Sequence, residues 1–260
     1  MDNRPIGVID SGVGGLSIAS SLLRFLPNES FLYLADSKNC PYGIKSNQEI
    51  YRLAKKMVDF LLAQKIKLLV VACNTITVTS IAKLRSAYPN LPIVGIVPVV
   101  KTAVEKTNNK KIGIFSTVAT SKSRYQQDLI AKFTKGYTVT NVGSADLVAL
   151  IEKLDFKTID KTLGRELQVF KDNKIDTLVL GCSHFPLIKD RIQKKLPRVA
   201  ILESSDAISR QVRRILESNK TLSKSAKPHY TFYTTGDLSA IEYFVNKLTS
   251  KGKIERISLR

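Results

Sequence analysis

Apolar residues along this chain fall into two recurring textures. Short unbroken runs, such as Leu68-Leu69-Val70-Val71-Ala72 and Thr177-Leu178-Val179-Leu180, read as strands buried on both faces. Longer stretches with an apolar residue every three or four positions, such as 48–64, read as amphipathic helices. On this basis strands are expected at 6–10, 31–35, 66–73, within 89–97, and at 112–115, 137–142, 175–182, 199–202, 230–233 and 254–259. Helices are expected at 16–25, 48–64, 75–87, 98–106, 124–133, 146–153, 159–171, 186–195, 206–217 and 239–248. Strand and helix alternate along most of the chain, the pattern of parallel sheets with helices on their faces.

The pattern also repeats. Ile66-Lys67-Leu68-Leu69-Val70-Val71-Ala72-Cys73 is echoed by Ile175-Asp176-Thr177-Leu178-Val179-Leu180-Gly181-Cys182, with the cysteine in the same place. Ile6-Gly7-Val8-Ile9 is echoed by Ile112-Gly113-Ile114-Phe115, and Leu91-Pro92-Ile93-Val94 by Leu196-Pro197-Arg198-Val199. The expected fold is therefore α/β, with two pseudo-symmetric open parallel-sheet domains and a site in the cleft between them. Residues 1–97 plus 206–260 would form the first domain and 98–205 the second. The polar, lysine-rich segment 218–227 before Pro228 reads as a linker. Each half places one cysteine at the carboxyl end of a strand, the edge where open α/β sheets bind ligands.

Composition narrows the class. The 260 residues are 43% hydrophobic, ordinary for a globular protein. The longest apolar run, 91–100, is interrupted by Pro92 and Pro98, so no membrane span is expected. Residues 1–10 run straight into a strand without a signal-peptide pattern, and a cytoplasmic location is expected. Three widely spaced cysteines make neither a disulfide framework nor a metal-ligand spacing. The formal charge of +19 is spread in small clusters such as Lys110-Lys111 and Lys194-Lys195. With no helix-turn-helix, finger or aromatic platform beside it, that charge reads as a solvated basic surface, and no specific nucleic acid is expected as a partner.

Candidate chemistry lies at the strand ends. Ser11-Gly12-Val13-Gly14-Gly15 partly imitates a dinucleotide fingerprint, but Ser17 stands at the third glycine position, and Asp36 arrives at the end of the next strand. An oxidoreductase on that motif would leave the paired cysteines unexplained. The turn lacks a P-loop's Lys-Ser/Thr, yet its amides can hold an anion, a carboxylate included. Cys40-Pro41-Tyr42-Gly43 reads as a tight turn, with Cys40 a structural thiol. Cys73 precedes Asn74-Thr75 and Cys182 precedes Ser183-His184. A helix N-terminus after each cysteine would favour the thiolate. His184, two residues from Cys182, would share its side of an extended backbone, and Asp10 ends the strand beside Cys73. Two thiols facing across a cleft suit inversion of a carbon stereocentre: one removes a proton from one face while the other delivers one to the opposite face. Ser11, Asn74, Thr75, Thr120 and Ser183 are placed to hold an anionic substrate.

Five stretches then carry a resemblance. Residues 6–17 (IGVIDSGVGGLS), 41–46 (PYGIKS), 70–75 (VVACNT), 119–123 (ATSKS) and 180–187 (LGCSHFPL) resemble, in order and spacing, the glutamate racemases of the cofactor-independent aspartate/glutamate racemase superfamily. The similarity spans essentially the whole chain. It implies that Cys73 and Cys182 are the two proton donors and acceptors, Cys73 acting on the D-enantiomer and Cys182 on the L-enantiomer. Asp10 and His184 would assist them. Asp10, Ser11, Tyr42, Gly43, Asn74, Thr75, Thr120, Ser183 and His184 would contact substrate. It implies no pyridoxal phosphate, metal or nucleotide, a role in supplying D-glutamate for peptidoglycan, and a homodimer as one form of assembly. A racemase of aspartate or another acidic amino acid is the alternative within the superfamily. Two positions depart from its pattern: Ser183 where threonine is common and Ser116 where glycine is common.

Overall fold

The computed structural model describes residues 2–249 and 251–259. β1 (Ile6–Asp10) is buried at every position, and after the glycine-rich turn α1 (Leu16–Phe25) lays Leu16, Ile18 and Leu22 on the core. β2 (Phe31–Ala35) runs parallel to β1, with Ile6 opposite Phe31 and Asp10 opposite Ala35. Two short 3-10 turns, Ser37–Asn39 and Tyr42–Ile44, lead into α2 (Asn47–Ala63). Ser46 caps α2 by accepting from the Glu49 amide, satisfying one donor that the first turn leaves free. β3 (Leu68–Val71), α3 (Asn74–Ala87) and β4 (Ile93–Gly95) follow, and α4 (Val100–Lys106) carries the chain into the second unit.

That unit contains β5 (Lys111–Thr117), α5 (Val118–Lys122), α6 (Arg124–Phe133) and β6 (Thr138–Ser144). It continues through α7 (Leu147–Glu152), α8 (Phe156–Glu166), α9 (Gln168–Asp172) and β7 (Thr177–Gly181). A 3-10 turn at Phe185–Ile188, α10 (Lys189–Lys195) and β8 (Ala200–Leu202) complete it. α11 (Ser205–Ser218) then returns to pack on α1, and β9 (Tyr230–Thr234), α12 (Ser239–Leu248) and β10 (Lys253–Arg256) close the chain.

Both sheets are wholly parallel. Their orders are β10-β9-β2-β1-β3-β4 and β6-β5-β7-β8. The run β2-β1-β3-β4 thus repeats as β6-β5-β7-β8, the spatial counterpart of the sequence echo, and β9 and β10 extend only the first sheet. β1 and β5 are the inner strands where the order reverses, so the crevices at their carboxyl ends are the places for a ligand. β3 and β7 lie beside them and end just before Cys73 and Cys182. One contiguous apolar cluster includes Val13 and Leu16 of the first unit and Val148, Ile151 and Phe185 of the second.

Several expected boundaries move, each for a local reason. The helix expected at 159–171 begins at Phe156, because Asp155 caps it by accepting from the Thr158 amide, and it breaks at Leu167 into α8 and α9. The segment 186–195 starts as a 3-10 turn around Pro186 and becomes α-helical only at Lys189. The hydroxyl-rich turn at 117–121 winds into α5, with the Thr117 hydroxyl accepting from the Thr120 amide. The last strand ends at Arg256 where it was expected to reach Leu259. The largest surprise is 218–227. This linker-like stretch is pinned: the Ser223 amide donates to Glu29 Oε1 at 2.8 Å and its hydroxyl to Asn3 at 2.9 Å. Glu29 is itself paired with Lys67 at 2.6 Å, both side chains being buried.

Candidate active site

The carboxyl ends of β1 and β3, the Tyr42–Ile44 turn, the start of α3, the end of β5, α7 and the loop after β7 converge on one small cavity. Its walls are Ser11, Tyr42, Gly43, Cys73, Asn74, Thr75, Thr117, Val148, Cys182, Ser183 and His184. The space between them is about 10 Å³, room for about one water. Nine of the eleven expected site residues line it. Asp10 and Thr120 do not line it: Asp10 contacts the Ser11 hydroxyl, and Thr120 contacts the hydroxyls of Thr75 and Thr117.

Cys73 caps α3 and is 3% exposed, with its sulfur 3.5 Å from the Ser11 hydroxyl. The helix N-terminus was expected to ease this thiol towards ionisation. Burial overrides it: desolvation, reinforced by the nearby Asp10 carboxylate, pushes the Cys73 thiol up to about 12, against the Ile76 amide and the Ser11 hydroxyl, which lower it. After Cys182 the expected α-helix start is absent: a 3-10 turn follows, with His184 at its head. The His184 backbone is in the right-handed helical region, not extended (φ −74°, ψ −31°), yet its ring still reaches back to Cys182. Burial disfavours charge on His184. Hydrogen bonds with the Cys182 and Cys40 thiols and the Glu152 carboxylate outweigh that burial and raise the imidazole well above its ordinary value.

Asp10 is fully buried. Its Oδ1 accepts from the Gly12 amide at 2.9 Å, while Oδ2 has no protein partner. Burial raises its carboxyl to about 6, although His184, the Gly12 amide and the Ser183 hydroxyl all favour the charged form. Asn74 is likewise buried, and neither of its side-chain polar atoms has a partner. A buried amide left unsatisfied costs free energy unless a ligand completes it, and this one faces the cavity. Thr75, Thr117 and Thr120 share hydroxyl contacts of 3.0–3.4 Å, a cluster of donors that reorient readily. Tyr42 is held from behind: its hydroxyl donates to Asp36 at 2.6 Å, and Asp36 also accepts from Thr235 and Asn39. The Asp36 of the imitation fingerprint is thereby saturated as a bracket for the tight turn.

Glu152, at the end of α7, was missed by the sequence reading. Its Oε1 accepts from the Val13 amide and pairs with His184 Nε2, both at 2.7 Å, and its Oε2 accepts from the Ser37 hydroxyl at 2.9 Å. The glycine-rich turn does hold a carboxylate, as its amides suggested, and that carboxylate is the protein's own. This also explains two of the glycines. A Cβ on Gly12 would fall 2.0 Å from Glu152 Oε1, and one on Gly14 would fall 2.4 Å from His184 Nδ1. The only trace of Glu152 in the sequence is a lone acid closing the apolar run Leu147–Ile151.

Comparison with known proteins gives a consistent set of likenesses. The family model described as Asp/Glu/Hydantoin racemase matches residues 6–212. A glutamate racemase of Clostridium botulinum is 38% identical over 228 residues, covering 86% of this chain and 88% of that one. The crystal structure of the Bacillus anthracis glutamate racemase isoform RacE1 superposes with a TM-score of 0.88 at 32% identity, covering 100% of this chain and 99% of that one. The glutamate racemase of Francisella tularensis, solved in complex with D-glutamate, gives 0.85 at 32% identity with the same coverage.

Proposed function

Since the chain belongs to the Asp/Glu/hydantoin racemase family, we propose that Cys73 and Cys182 racemise glutamate by two-base proton transfer. The chain is similar over nearly its whole length to glutamate racemases, and glutamate racemisation is its activity. The observation that carries the two-thiol assignment is the convergence of Cys73 and Cys182, from equivalent ends of β3 and β7, on one cavity.

In this reading the α-carbon lies between the sulfurs. One thiolate removes the proton, the opposite thiol donates its own to the other face, and the two groups end with exchanged states. His184, which favours its protonated form, stabilises the thiolate of Cys182 and returns a proton to it. Asp10 serves Cys73 through Ser11. Asn74 and the Thr75–Thr117–Thr120 hydroxyls take the substrate's polar ends, with Ser11, Ser183 and the Tyr42–Gly43 turn completing the grip. The cavity is too small for glutamate, so the units carrying the two sheets, 1–97 with 206–260 and 98–205, act as domains that part to admit it. The protein works in the cytoplasm, where D-glutamate is drawn into peptidoglycan. Among the described residues no helix is long and apolar enough to cross a membrane.

The test is circular dichroism of L-glutamate, and separately of D-glutamate, with purified protein and reductant. The signal should decay to zero from both sides. Cys73→Ser and Cys182→Ser should each abolish racemisation in folded protein, and wild-type turnover in either variant would reject the two-thiol mechanism.

A further inference from the structure

Cys40 was read as a structural thiol, and the proton transfers above do not use it. It is half-buried, at the base of the Tyr42–Ile44 turn. Its sulfur, a Glu152 carboxylate oxygen and a His184 ring nitrogen all lie within 4.8 Å of one another. No spacing motif announces this group, because its members come from the segment after β2, the end of α7 and the loop after β7.

We propose that Cys40, Glu152 and His184 form a binding site for a divalent cation of the zinc type, and that its occupation inhibits the enzyme by clamping the two units together. The ligand set is one sulfur, one nitrogen and one oxygen, the mixture that a borderline-soft, tetrahedral cation accepts. Metal–ligand bonds of about 2.0–2.3 Å would place neighbouring donors roughly 3.3–3.6 Å apart on such a cation. His184 Nε2 and Glu152 Oε1, now 2.7 Å apart, would need to separate by less than an ångström. Cys40, whose sulfur lies within 4.8 Å of both, would need to approach by at most about 1.5 Å. The cation would take the place of the shared proton, and the Cys40 thiol would release its own.

The surroundings already orient the oxygen donor. The Val13 amide and the Ser37 hydroxyl hold the two Glu152 oxygens, the kind of outer contact that fixes metal ligands. Three protein ligands leave a fourth position for water, so the site is an open, reversible one and not a structural clamp needed for folding. The consequence for activity follows from connectivity. Cys40 belongs to the unit with the six-stranded sheet, and Glu152 and His184 to the unit with the four-stranded sheet. A cation on all three would hold the cavity in its closed form and remove His184 from service to Cys182.

The inhibition arm rests on the racemase reading, whereas metal binding can be read without any turnover. Chelator-stripped protein in a non-chelating reductant is titrated with zinc by calorimetry, and with cobalt(II) followed by its thiolate charge-transfer absorption. Racemisation is measured in parallel. The expected result is one equivalent bound, the cobalt–thiolate band present, inhibition reversed by chelator, and affinity weakened more than about tenfold in Cys40→Ala and Cys40→Ser. Both variants should remain folded by thermal melting, and metal inhibition is read as a ratio to each variant's own metal-free turnover, because losing the Cys40–His184 hydrogen bond changes that turnover as well. Cobalt and zinc binding unchanged in the Cys40 variants would overturn the proposal and place the metal on the Cys73–Cys182 pair. Absence of binding to the wild type would overturn it outright, and would leave the racemase reading untouched.

Discussion

Replacing Lys67 by methionine tests how the returning C-terminal segment is fastened to the first unit. The Lys67 ammonium lies 2.6 Å from Glu29 Oε2 and donates to the carbonyls of Asp2 and Thr221 at 2.6 and 2.7 Å. The two charged side chains are 1% and 2% exposed, so neither charge can turn to water. Methionine keeps most of the aliphatic volume, and the loss is therefore mainly electrostatic. It leaves a buried carboxylate without its cation, a change that typically costs about 3–5 kcal/mol. With an unfolding entropy of about 2.1 cal/mol/K per residue, a chain of 260 residues carries about 0.55 kcal/mol/K, and the expected fall in Tm is roughly 5–9 °C. A second variant separates lost charge from lost packing. In Glu29→Gln/Lys67→Met the stranded charge is gone, while the Gln oxygen can still accept from the Ser223 amide, so the double variant should regain at least about 1 kcal/mol over Lys67→Met. Thermal and urea unfolding of the four proteins in the cycle provide the measurement. A loss below about 1 kcal/mol in Lys67→Met, or a double variant no more stable than it, would refute the reasoning.

Two predictions concern the site. Asp10 is raised to about 6 in the folded chain against 3.8 for the free group, so the folded state keeps its proton to higher pH. Ionised Asp10 therefore costs stability above about pH 6, and that cost is relieved as pH falls from 6 towards 3.8. The kcat/KM profile should rise with pH through about 6, and Asp10→Asn should lose that limb while melting higher than wild type at neutral pH; an unchanged acid limb would remove Asp10 from the mechanism. Glu152→Gln withdraws the carboxylate that helps to keep His184 protonated. It should move the basic limb of the kcat profile to lower pH and slow turnover on the order of tenfold, less than the 10²–10⁴ that a positioned acid or base contributes itself. An unmoved basic limb would mean that Glu152 only ties the units together.

Much of this was legible along the chain because it is written in local periodicity. Apolar runs of four or five residues stop where strands leave the sheet, and the repeated run ending in cysteine placed Cys73 and Cys182 at equivalent strand ends before any geometry was known. Asn74, Ser183 and His184 were legible for the same reason, each lying within two residues of one of those cysteines, and Asp10 and Ser11 because they close the first apolar run. Boundaries were harder where side chains intervene, as at Asp155, which starts a helix earlier than periodicity suggests.

Tertiary structure alone decided the rest. Glu152 reaches His184 and the Val13 amide from a helix that precedes the second cysteine strand, a meeting set by how the units pack and not by spacing along the chain. The thiol of Cys73 illustrates the same limit. Its place at the head of α3 follows from sequence and would favour the thiolate, but its titration is governed by desolvation and by the Asp10 charge beside it. Those terms depend on every atom within a few ångströms, whatever its distance in sequence. Periodicity reports which face of an element is buried. Which charges meet there, and whether water stays with them, is settled only when the elements close on one another.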